Sequence, residues 1–98
     1  MTIDTMLNGS ECTLKLDGRL DTMTAPQLEE AVKAAMPGLT RLTLDFAGVQ
    51  YISSAGLRVL LTAQKGMNKQ GAMVLTGVSE AVHEVFDITG FTDILTIE

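Results

Sequence analysis

At 98 residues the chain has room for one hydrophobic core, so residues 1–98 read as a single domain in which that core serves both fold and function. Apolar residues make up 46% of it, but with three Phe, one Tyr and no Trp the packing falls to Leu, Val, Ala and Met. Seven basic against twelve acidic side chains give a net charge of −5 with neither sign gathered into a block, which excludes the basic footprint of a nucleic-acid-binding domain.

In chain order, two alternating runs come first, one near 3–7 and a clearer one at 12–16, where Cys12, Leu14 and Leu16 face one way and Thr13 and Lys15 the other. Asn8-Gly9-Ser10 between them is a hairpin signal, so the chain is predicted to open on a β-hairpin. Thr24-Ala25-Pro26-Gln27 predicts a helix start, with Thr24 as cap, Pro26 in the first turn and Gln27 reaching back to complete a capping box. Leu28, Ala31, Val32, Ala35 and Met36 form its inward stripe, and Pro37-Gly38 ends it. A strand follows, with Leu42, Leu44 and Phe46 alternating with Arg41, Thr43 and Asp45.

A second helix is predicted from Ser53 or Ser54 to about Gln70, closed by Gly71. A strand at 72–76, a third helix at 79–88 stopped by Gly90, and a short strand at 94–97 complete the order β-β-α-β-α-β-α-β. The expected fold is therefore mixed α/β: a partly parallel sheet of about five strands with helices packed on it.

Little of this sequence offers catalytic chemistry. One cysteine and one histidine leave no set of metal ligands, neither glycine fingerprint for phosphates occurs, and no cofactor is implied. Cys12 reads as a buried strand residue, and a lone thiol permits no internal disulfide, which suggests a reducing compartment. No basic segment followed by an apolar stretch opens the chain, and no apolar run is long enough to cross a bilayer, so a soluble cytoplasmic protein without membrane contact is expected. His83, mid-helix, reads as a surface or boundary residue rather than a base for a serine nucleophile.

The segment from Asp45 to Leu57 stands out. A strand leads through a short turn into two adjacent hydroxyls, Ser53 and Ser54, at a helix start where backbone N–H groups lack partners. The residues alone favour a serine there as an N-cap; the rival reading places a phosphate at this helix start, which would add nearly two negative charges without unfolding the surface.

This segment resembles the hallmark of the anti-sigma factor antagonist (STAS domain) family: a strand ending in Asp, a hydrophobic turn, then Asp/Ser-Ser-Ser/Ala/Thr-Gly-Leu opening a helix. Gly18-Arg19-Leu20-Asp21 resembles the family's Gly-x-Leu-Asp before the first helix, and the order of elements agrees over nearly all 98 residues. The resemblance implies no enzyme but a partner-switching regulator, a monomer or weak dimer. Unphosphorylated, it would bind an anti-sigma factor that is also a serine kinase, and so control sigma-factor-dependent transcription.

Phosphorylation at the serine two before the glycine, Ser54, would release the partner, and a serine phosphatase would reset it. Ser53, where many relatives carry Asp, is the rival site, and Ala55 stands where many carry a second hydroxyl. Asp21, Ser53, Ser54 and Gly56 are the expected partner-binding residues, with Gly56 alternatively packing against the sheet and Asp21 alternatively bonding nearby loop amides. A regulatory subunit of a transporter or of a stress-signalling scaffold is the alternative role.

Overall fold

In the computed structural model, which describes Met1–Glu98, four strands and three helices form the fold: β1 (Thr2–Asn8), β2 (Glu11–Asp17), α1 (Ala25–Ala35), β3 (Arg41–Gly48), α2 (Ser54–Asn68), β4 (Ala72–Thr76) and α3 (Glu80–Thr89). The sheet order is β1-β2-β3-β4, antiparallel between β1 and β2 and parallel across β2, β3 and β4. Each parallel step is crossed by a helix, as the alternation of strand and helix periods predicts.

The opening hairpin is tighter than expected. Asn8 pairs with Glu11, so Gly9 and Ser10 make the turn, and only Gly9 has positive φ (62°). That excludes the Asn-Gly type I′ turn, which needs positive φ at both central residues, and fits the type with glycine first.

One cluster of 23 buried residues joins the strand residues Cys12, Leu14, Leu16, Leu42, Leu44 and Phe46 to the inward stripes of the helices, including Leu28 and Val32 of α1, Leu60 and Met67 of α2, and Val82 and Phe86 of α3. The rings of Phe46 and Phe86 lie 6.4 Å apart and tilted at 59°, a favourable aromatic arrangement that ties α3 to β3.

Two expectations are corrected. The capping box at the first helix does not form: Thr24 has helical dihedrals and no side-chain cap bond, and the Gln27 amide donates instead to the Met1 carbonyl (3.0 Å). The reason lies upstream, where Asp21 takes the amides of Met23 and Thr24 for itself. The last strand, predicted at 94–97, reduces to a single parallel bridge between Leu75 and Ile97. After Gly90 ends α3 in the left-handed conformation, a 3-10 turn at Phe91–Asp93 consumes the chain that a strand needs, and the sheet has four strands rather than about five.

Candidate functional site

The site is built where β2 and β3 end side by side. Beyond Asp17 and Gly48 the chain leaves the sheet at the carboxyl ends of parallel strands, the place where α/β sheets expose their loops. The two loops stay together. The Gly18 amide donates to the Gly48 carbonyl (3.0 Å), the Leu20 amide to the Tyr51 carbonyl (3.1 Å), and the Ser53 amide to the Leu20 carbonyl (2.9 Å). Leu20 and Ile52, both buried, form the parallel bridge at the centre of this contact.

Directly after Leu20, Asp21 folds its turn around its own carboxylate. Oδ1 accepts the amides of Met23 (3.0 Å) and Thr24 (3.1 Å), while Oδ2 lies 3.6 Å from Arg19 Nε. The Thr24 hydroxyl, released from capping, accepts the Asp21 amide (2.9 Å) and donates to the Arg19 carbonyl (2.6 Å). Partial desolvation works against the Asp21 charge, but the Thr24 and Met23 amides, the Thr24 hydroxyl and the Arg19 guanidinium outweigh it and hold the carboxyl below the usual carboxylate range.

The two serines divide their work. Ser53, extended at φ −100° and ψ 174°, is the N-cap of α2, and its Oγ accepts the Gly56 amide at 3.5 Å, the long limit of such a bond. Ser54 is the first helical residue; it is exposed, and its hydroxyl has no partner within the chain. Gly56 is buried. A Cβ there would come 2.7 Å from Leu20 Cγ and 2.9 Å from Ile52 Cγ1, so its missing side chain lets the helix start seat on the Leu20–Ile52 bridge. The close approach at Gly56 is thus made with this chain's own Leu20 and Ile52, which is the packing alternative of the sequence reading.

Three neighbours escaped the sequence reading. Arg19 lies over the Tyr51 ring, 4.0 Å from its centroid, so the guanidinium is shared between an aromatic face and Asp21. Tyr51 is 41% exposed and Met23 86% exposed, the highest value among the large apolar side chains. An exposed apolar residue in a turn is the signal that the sequence carried, since Met23 fits neither the strand period before it nor the helical stripe after it.

Elsewhere, His83 Nδ1 lies 3.3 Å from Asp87 Oδ2 on its own helix, so its partner is not a serine. Cys12 is 2% exposed, and burial pushes its thiol pKa up, away from reactivity. No helix is long and apolar enough to cross a membrane.

Comparison with known proteins places this geometry among relatives. The family described as "Mlab, STAS domain" matches residues 3–96. An anti-sigma-B factor antagonist of Staphylococcus epidermidis is 31% identical over 99 residues, covering 99% of this chain and 92% of its own. The anti-sigma factor antagonist SpoIIAA in its unphosphorylated form superposes with a TM-score of 0.84 at 19% identity, covering 99% of this chain and 88% of that one. The phosphorylated form of the Bacillus protein SpoIIAA superposes at 0.76 and 18% identity, covering 99% and 91%.

Proposed function

The chain belongs to the STAS domain family, and from that membership we propose that it is an anti-sigma factor antagonist whose switch is the hydroxyl of Ser54. Unphosphorylated, it binds an anti-sigma factor that is also a serine kinase. Phosphorylated on Ser54 it lets go, and a serine phosphatase restores it.

The observation that carries the reading is the division between the two serines: Ser53 is spent on the helix cap, while Ser54 presents a free, exposed hydroxyl. Around it, Asp21, Met23 and Tyr51 supply an ionised carboxylate, a flexible apolar contact and an aromatic one, a mixture suited to protein recognition. The protein supplies no chemistry of its own in this cycle; it is the substrate of one enzyme and the ligand of another.

Phosphate on Ser54 adds nearly two negative charges to a face where Asp21 is already ionised, and it must be desolvated if the partner is to close over it. A loss of about 3 kcal/mol would weaken binding more than a hundredfold.

The test titrates Ser54→Asp and Ser54→Ala proteins against the cognate anti-sigma factor. The first is expected to bind poorly, and the second to bind and resist ATP-dependent release. Equal binding and equal release by both would overturn the proposal, and a phosphopeptide carrying phosphate only on Ser53 would move the switch by one residue.

A further inference from the structure

Helix α2 carries Arg58 and Lys65 and no carboxylate anywhere from Ser54 to Asn68, in a chain whose net charge is −5. Arg58 is exposed and four residues after Ser54, the spacing that puts two side chains on one helix face with Cβ atoms about 5–6 Å apart. Of the three arginines, Arg19 is paired with Asp21 and Arg41 with Glu98, and Arg58 alone has no ion-pair partner.

We propose that Arg58 is the phosphate-reading residue of this protein: once Ser54 is phosphorylated, the Arg58 guanidinium turns back one helical turn and forms a bidentate pair with the phosphate oxygens. The inference rests on Ser54 being the modified residue. Planar guanidinium matches two phosphate oxygens at once, whereas lysine offers only a point charge. The pairing takes place on one helix, so no other element has to move.

The groups that could compete are already engaged. Arg58 lines a shallow depression of about 160 Å³ with Thr22, Pro26 and Glu29 opposite, and Glu29, the one acid among them, lies 3.6 Å from Lys33 on its own helix. On the loop side, Asp21 is held by Arg19 and by the Met23 and Thr24 amides, and Arg19 is also stacked on Tyr51. An arginine without a partner thus stands next to a hydroxyl without a partner. The consequence concerns partner release: the phosphate is pinned to the surface of α2, and the same event consumes the one arginine charge that no carboxylate pairs.

The experiment uses the full chain with phosphoserine inserted at position 54 during translation, so that the result does not depend on any kinase. The second ionisation of the phosphate is followed by ³¹P NMR against pH in the wild-type, Arg58→Lys and Arg58→Gln backgrounds. Free phosphoserine titrates near pH 6. Asp21 and Glu29 push that midpoint up and Arg19 pushes it down; all three are common to the three proteins.

The Arg58→Gln protein is expected to titrate about 0.2–0.4 pH units above wild type, the size expected of an exposed i, i+4 pair whose partner gains one charge on ionising. Arg58→Lys should fall between them. Superimposed curves for wild type and Arg58→Gln would overturn the proposal. The parent reading is judged separately, by whether the same encoded phosphoprotein loses its anti-sigma factor; it can fail while the titration stands, or stand while the titration fails.

Discussion

Replacing the two adjacent serines one at a time should separate stability from signalling. Ser53→Ala removes the only side-chain cap of α2 and leaves the Gly56 amide without its acceptor. Such losses cost about 0.5–2 kcal/mol, and because the bond is long at 3.5 Å the lower half of that range applies, about 0.5–1 kcal/mol. In a domain of this size that lowers Tm by about 2–5 °C. Ser54→Ala breaks no bond within the chain and changes an exposed first-turn residue, so its effect should stay within about 0.5 kcal/mol. Thermal and urea denaturation give the stabilities, and incubation with the cognate kinase and ATP gives the second axis. Ser53→Ala should be the less stable protein yet still accept phosphate, and Ser54→Ala the stable one that does not. If Ser54→Ala were the more damaging to stability, or if phosphate accumulated on the Ser54→Ala protein, the assignment of cap and acceptor would be wrong.

Two further predictions concern the frame and the loop. A Cβ on Gly71 would sit 1.9 Å from the Thr40 carbonyl oxygen, which is backbone and cannot step aside, so Gly71→Ala should cost about 3 kcal/mol in urea unfolding. Gly66→Ala meets only the flexible end of Met36 and gains helix propensity, so it should be neutral or stabilising by up to about 1 kcal/mol; a reversed order would contradict the packing described. For Asp21, the folded carboxyl titrates below its ordinary value of 3.8, so its contribution is present above that pH and is lost as pH falls through the lowered value. Asp21→Asn should therefore be less stable than wild type at neutral pH, with the gap closing below about pH 4. A gap that stays constant into acid would show that the charge contributes nothing.

The helices and central strands were legible because their periods are strong: Cys12, Leu14, Leu16 and Leu42, Leu44, Phe46 alternate without interruption, and each run lies buried on one face. The Ser53-Ser54 segment was legible as a helix start, and the family resemblance singled out Ser54. What could not be read was set by contacts between distant parts of the chain. No local pattern announces that Leu20 will bridge to Ile52, yet this pairing brings Asp21 beside the serines and buries Gly56. The failure at Thr24 is a local competition of another kind. Threonine three residues before Gln27 satisfies the capping-box pattern, but Asp21 takes the Thr24 amide that the Gln27 side chain would need, and the pattern has no means of ranking the two. The terminal strand was over-read because Ile94, Leu95 and Ile97 suit a strand, whereas the 3-10 turn after Gly90 leaves room for one bridge.

Along the strands, the molecule has two ends with different obligations. At one, Ser10 bonds to Thr40 and Gly71 packs on the Thr40 carbonyl, so the chain there is fixed by close backbone contact. At the other, the loops carrying Asp21, Met23, Tyr51 and Ser54 are joined by the Leu20–Ile52 bridge and the Gly18–Gly48 hydrogen bond, and Met23, Tyr51 and Ser54 face outward. Mutational drift is therefore channelled. Met23, Tyr51 and Arg58 can be replaced without disturbing the aliphatic interior, so the character of this face can change while the scaffold stays the same.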